Sequence, residues 1–164
     1  GSRWTTGPNL SVARGFIATA VVDDVIYAIG GDSWIGSTLI AQTIVEKLDT
    51  KAATLTWDDA GVADLPITCD ETQAFGFDSN SKYHMAGSIV VAGCGRWSME
   101  YVYSLRYNVA KDTWDESFPD LNQARRNHAG VFIPEGEGVG RPGIWVWGGR
   151  QGMDTNILRV PEFY

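Results

Sequence analysis

The sequence predicts an all-β fold built from three repeats of four short antiparallel strands. Three observations predict it. The chain aligns with itself: Leu10-Ser11-Val12-Ala13-Arg14 recurs, 111 residues on, as Leu121-Asn122-Gln123-Ala124-Arg125. Apolar and β-branched runs of strand length alternate with turn residues, and no segment sustains a helical period. Tryptophans 4, 57 and 114 recur at intervals of 53 and 57 residues, the scale of a propeller blade or a solenoid unit rather than of a whole domain.

In the first copy, strand one runs up to Val22 and turns at Asp23-Asp24. Strand two is Val25-Ile26-Tyr27-Ala28-Ile29, ending in the corner Gly30-Gly31. Strand three is Thr43 to Asp49, and Thr56-Trp57 marks strand four. The middle copy opens at Leu65-Pro66. Its strands are Gln73 to Phe77, Ser88 to Cys94, Tyr101 to Asn108 and Lys111 to Trp114, with an insertion over 80–87. The third copy has Gly143-Ile144-Trp145-Val146-Trp147 before Gly148-Gly149, and the turn-like residues 134–140 precede it as an insertion. The chain stops at Tyr164 within strand three of this copy, while Arg3-Trp4 match a strand four. Four-stranded units of this length read as β-propeller blades, at about 10–60, 61–117 and 118–164, the last closed by a strand at 3–8. Residues 3–164 form one repeat unit, and Gly1-Ser2 read as an expression remnant.

The pattern of an arginine before strand one, an aromatic before paired glycines, a Glu-bearing third strand and then tryptophan resembles the kelch repeat. The resemblance covers residues 4–164. It is close in the first and third copies and looser in the middle one, where Cys69 stands near the arginine position and Cys94 replaces the second glycine. It implies a propeller and leaves the function open, since kelch-like domains include adaptors, scaffolds and some enzymes. Propellers have roughly 4–8 blades. The expectation is therefore a six-bladed ring made by two chains, each N-terminal strand completing the other chain's last blade. The rival is a piece of a longer propeller.

Composition narrows the partners. Thirteen Lys and Arg against twenty Asp and Glu leave a net charge of −7, which repels a phosphate backbone, so no nucleic-acid partner is expected. No apolar run reaches membrane-span length. No metal or other cofactor is expected. His84 falls in the middle insertion and His128 at the start of a first strand, on opposite faces, which argues against a shared copper or catalytic centre. Cys69 and Cys94 lie near the neighbouring ends of two adjacent strands, so the choice is one disulfide or two buried thiols. Secreted and cytoplasmic locations both stay open.

The glycines Gly30, Gly31, Gly148 and Gly149 read as structural corners, because no helix and no Lys-Ser/Thr follow for a phosphate loop. Trp4, Trp57 and Trp114 read as outer-strand packing residues. Trp34 and Trp97 fall in loops after the corners, as binding anchors or as residues tucked under their own loops. Strand alternation gathers Trp34, Arg96, Trp97, Glu100, Arg150, Met153 and Asp154 on one face, with Arg14, Asp70, Arg125 and Arg126 from the approach segments. Arginine, tryptophan and carboxylates together suit a peptide, protein or glycan ligand. For Arg14 and Arg125 the competing role is to hold backbone carbonyls. Two alternatives remain: a fragment of a secreted carbohydrate-active or galactose-oxidase-like enzyme, and a half-propeller serving as a self-assembling unit.

Overall fold

The computed structural model describes residues 3–96, 99–136, 140–152 and 156–164. The described residues contain strands and turns and no helix. The first sheet holds β1 (Ala18–Val22), β2 (Val25–Ile29) and β5 (Val45–Asp49), in the order β1-β2-β5. Between β2 and β5 rises a two-stranded ribbon, β3 (Asp32–Ile35) with β4 (Thr38–Ala41). The second sheet holds β6 (Gln73–Phe77), β7 (Ser88–Ala92), β10 (Ser104–Asn108) and β11 (Thr113–Asp115), with its own ribbon β8 (Gly95–Arg96) and β9 (Met99–Glu100). The third sheet holds β12 (Ala129–Ile133), β13 (Gly143–Trp147) and β16 (Glu162–Phe163), with the ribbon β14 (Arg150–Gln151) and β15 (Asn156–Ile157).

Turn chemistry sets the first hairpin. Asp23 and Asp24 both take positive φ, 49° and 65°, as a two-residue hairpin turn demands. Side-chain hydrogen bonds tie this turn to the equivalent turn of the second sheet. Asp23 N–H donates to Asp78 (2.7 Å), and Ser79 N–H donates to Asp23 (2.9 Å).

Burial explains the two kinds of strand pattern. β1 alternates buried and exposed because only one of its faces is covered. β7 (SIVVA) is buried at every position because sheets lie against both of its faces. One core packs Ala18, Ala20, Tyr27 and Val45 against Ile89, Val91, Leu105 and Tyr107. The other packs Phe75, Phe77 and Val90 against Ile144 and Val146. The first strands of the three sheets stand side by side, β1 next to β6 and β6 next to β12. At the closest point a Cβ on Gly76 would lie 2.0 Å from the Val21 carbonyl oxygen, so only glycine fits there.

A repeated backbone device precedes these first strands. Phe16, Glu71 and Asn127 occupy the same place in the three copies, and each takes a left-handed conformation with φ of 50° to 52°. Glu71 N–H donates to the Phe16 carbonyl (3.3 Å), and Asn127 N–H donates to the Glu71 carbonyl (2.8 Å). The segments leading into the three first strands are thus linked head to tail.

Two expectations need correction. The segments after the glycine corners are hairpin ribbons rather than loops. Among the described residues, only the second sheet has a fourth strand. The first has an isolated bridge, Lys47 to Asp58, beside half-buried Trp57. The third has three strands; its fourth was expected from a second copy, and residues 3–8 pair with no strand of their own chain, leaving Trp4 fully exposed. A strand needs a neighbour for its N–H and C=O groups, and within the chain this segment has none. Trp114 fits its expected packing role. Its indole N–H donates to the Ala63 carbonyl (2.9 Å), and its ring sits 5.0 Å from that of Tyr107.

Candidate functional site

The site is built on the approach segments and the ribbons. Isolated bridges set Gly15 beside Asp32, Asp70 beside Gly95 and Arg126 beside Arg150. This register makes Arg14, Cys69 and Arg125 equivalent. Arg14 donates to the carbonyls of Gly30 (2.6 Å) and Ile44 (2.7 Å) and pairs with Glu46 on the third strand. Arg125 donates to the carbonyls of Gly148 (2.8 Å) and Val160 (3.0 Å) and pairs with Glu162 at 2.8 Å. Both guanidinium side chains are completely buried. In the middle copy the same place is closed covalently: Cys69 and Cys94 form a disulfide with Cα atoms 4.9 Å apart.

Arg14, Arg125 and Arg126 were expected on a ligand face, with holding backbone carbonyls as the competing role of Arg14 and Arg125; the structure puts all three inside, and Arg14 and Arg125 take the carbonyl-holding role. Arg126 pairs with buried Glu71 at 2.8 Å and donates to the Gly152 carbonyl at 2.9 Å. A buried guanidinium needs internal acceptors, and here carbonyls and carboxylates accept from the Nη groups of all three arginines. The first glycine corner packs tightly. A Cβ on Gly30 would lie 2.0 Å from the Cys69 carbonyl oxygen, and Gly30 has a φ of 59°.

The ribbons carry what stays accessible. Trp34 is 69% exposed and borders a hollow of about 690 Å³ lined by Phe16, Asp32, Ser33 and Leu39. Arg96 is exposed, with Nη2 2.9 Å from the Met99 sulfur. Glu100 accepts from Gly152 N–H at 3.1 Å, which links the second and third ribbons. Arg150 is half-buried in the third ribbon. Trp97, Met153 and Asp154 lie outside the described residues, as do residues 137–139 of the expected hairpin tip. A groove of about 370 Å³ runs between the first two ribbons, lined by Leu39, Ile40, Ala41, Thr68, Asp70, Arg96 and Met99.

Electrostatics single out two groups. Burial pushes the Asp70 carboxyl up to about 7, with Glu71 and Asp32 adding to it and Arg126 and Arg96 opposing. Burial also raises Asp32, helped by Glu71. His128 is buried, and burial and then Arg125 push it down to about 4. Neither ring nitrogen has a hydrogen-bond partner. The Ala92 carbonyl opposes the shift but is engaged by the Thr72 hydroxyl at 3.0 Å. His84 lies on the β6–β7 connection, 3.5 Å from the Tyr164 hydroxyl. Among the described residues, no three His, Cys, Asp or Glu side chains converge as a metal-binding group.

The sequence reading had missed Asp32 and Glu71 as parts of this site. Glu71 was legible only through the repeat register, which aligns it with Phe16 and Asn127.

No protein-family model and no curated protein matches the chain. Among solved structures it is similar to YjhT, with a TM-score of 0.61 and 17% identity over 87% of this chain and 36% of that one. At that identity the likeness shows a shared fold alone. The chain spans little more than a third of that neighbour's length.

Proposed function

We propose that the chain is three blades of a kelch-type propeller, that a second copy completes a six-bladed ring, and that the ribbon-bearing face binds a peptide, protein or glycan. The observation that carries the binding reading is the ribbon face itself. It sets exposed Trp34, Ile40, Met99 and Arg96 around two hollows, and aromatic and arginine side chains are the usual anchors of recognition surfaces. The buried disulfide fits an oxidising compartment.

Ring closure is supported at both ends of the chain. Ala20–Tyr27 and Phe75–Val90 are cross-strand pairs buried against the next sheet. Their third-sheet counterpart, the row Val131–Trp145–Phe163, has no sheet over it, and Val131 and Phe163 are 43% and 52% exposed. At the other end Val21 is 53% exposed on β1, whereas β1 covers the matching face of β6. The head-to-tail chain of Phe16, Glu71 and Asn127 has an amide end and a carbonyl end, which a second copy would join. An apolar row rimmed by strands is the surface expected to meet another blade. The greater length of the fold neighbour favours one other reading, in which further repeats of a longer chain supply the missing blades.

Light scattering coupled to size exclusion tests closure. A mass of twice 17.9 kDa is expected, and Phe163→Glu should reduce it to that of one chain. A wild-type monomer removes the dimer. Glycan and peptide arrays with wild type and Trp34→Ala test the face. A binding profile that Trp34→Ala leaves intact removes Trp34 from it.

A further inference from the structure

Beneath the first two ribbons lies more buried negative charge than the molecule neutralises. Asp32, Asp70 and Glu71 are 5%, 1% and 5% exposed. Glu71 is paired with Arg126. The Asp70 Oδ1 atom accepts no hydrogen bond, although the residue lines the wall of the 370 Å³ groove. Leaving a carboxylate buried without a partner is costly, and the raised pKa of Asp70 is the expression of that cost. Arg96, at the groove mouth, turns its Nη2 to the Met99 sulfur rather than forming an ion pair with Asp70. Of the remaining walls, Leu39, Ile40, Ala41 and Met99 are apolar, and Thr68 adds a hydroxyl-bearing side chain.

We infer that this groove receives a primary ammonium group on an alkyl stem, the chemistry of a lysine side chain, with Asp70 as its charge anchor. The inference rests on the binding reading above and narrows it to a peptide or protein partner that presents lysine. The ammonium would donate to the Asp70 carboxylate and set a further positive charge beside it. The methylenes would lie along Leu39, Ile40 and Met99, as lysine stems commonly do on apolar surface. The chain's net charge of −7 favours encounter with a cation. A carboxylate ligand would find Arg96 but would also face Asp70, with the charges of Glu71 and Asp32 close behind it. A sugar hydroxyl could bond Asp70 without supplying the charge.

The probe is Nα-acetyl-lysine amide, titrated into isotope-labelled protein and followed by backbone amide shifts. Nα-acetyl-norleucine amide and Nα-acetyl-glutamate amide are the controls. The lysine compound should give saturable shifts at Ala41, Asp70 and Gly95, and the controls should not. Affinity should weaken about tenfold from pH 8 to pH 6, because protonation near 7 discharges the anchor. Asp70→Asn should abolish binding, and Arg96→Gln should preserve or tighten it by removing a competing cation. Equal binding of norleucine, stronger binding of glutamate, or an affinity flat across pH 6–8 would overturn the inference, and so would undiminished binding by a folded Asp70→Asn. If Asp70→Asn does not fold, the wild-type pH profile and Arg96→Gln decide the question. An array ligand whose binding survives Asp70→Asn sinks the lysine inference and leaves the ribbon-face reading standing. Lysine-amide binding with empty arrays does the reverse.

Discussion

The outer two repeats and the middle repeat hold the same joint by different chemistry. In the first and third, a buried arginine ties the approach segment to the glycine corner and to a glutamate of the third strand. Glu46 lies opposite Ala28, and Glu162 opposite Val146. In the middle repeat the position matching these glutamates is Leu105, opposite Val91, and the arginine position is Cys69. Once Cys69 joins Cys94, no arginine is present to require a carboxylate, and an apolar leucine fills that space within the core. The lesson is that the repeat specifies a connection and not an interaction. Either a buried ion pair braced by backbone carbonyls or a covalent bond can make it.

The largest expected effect comes from breaking an ionic joint on one side. Arg125→Met strands Glu162 in the interior and should cost about 3–5 kcal/mol in urea unfolding. Adding Glu162→Leu imitates the middle repeat and should recover at least half of that. The recovery is incomplete because the Asn122 and Gln123 N–H groups lose their acceptor. A double variant as damaged as the single one would show that the arginine matters through its carbonyl contacts instead.

Next in size is the covalent joint. The bridged cysteines are 25 residues apart, and closing a loop of that size constrains the unfolded chain by about 3.5 kcal/mol in the chain-entropy account. Thermal melts with and without reductant, or of the paired Cys69→Ala/Cys94→Ala variant, should differ accordingly. Identical melts would break the equivalence of the two joints.

The smallest effect is a divergence in pH response. His128, in the third repeat, stays neutral when folded down to about pH 4, whereas the unfolded chain takes up that proton near 6.5. Stability contributed by this group is therefore present above 6.5 and lost as pH falls toward 4. Asp70, in the middle repeat, has the opposite sign. Its folded pKa is raised from 3.8 to about 7, so the folded state holds a proton that the unfolded state has released. Stability at this group falls as pH rises across that window. His128→Phe should flatten the acid limb and Asp70→Asn the neutral limb, read as urea midpoints at pH 4.5, 6 and 8. If both variants keep the wild-type profile, the titrations lie elsewhere.

Strands with a clear apolar signal were legible before any coordinates. β1, β2, β7 and β13 announce themselves through alternation or continuous runs, and Asp23-Asp24 through its turn chemistry. The ribbons were not legible. β8, β9 and β14 are two residues long, each holds a charged residue, and none carries a periodicity to read. Arg14, Arg125 and Arg126 were legible as repeated or clustered arginines but not as buried ones. Their glutamate partners lie 32, 37 and 55 residues away along the chain.

The sequence by itself determined the repeat, the all-β class and the glycine corners, because period, alternation and backbone sterics are local properties. Tertiary structure alone decided which charged groups face water, that Cys69 and Cys94 are bonded, and that Asp70 is left without a hydrogen-bond partner at Oδ1. Those outcomes depend on what distant segments bring within hydrogen-bond reach, and burial turns a surface charge into one that must be paired, neutralised or offered to a ligand.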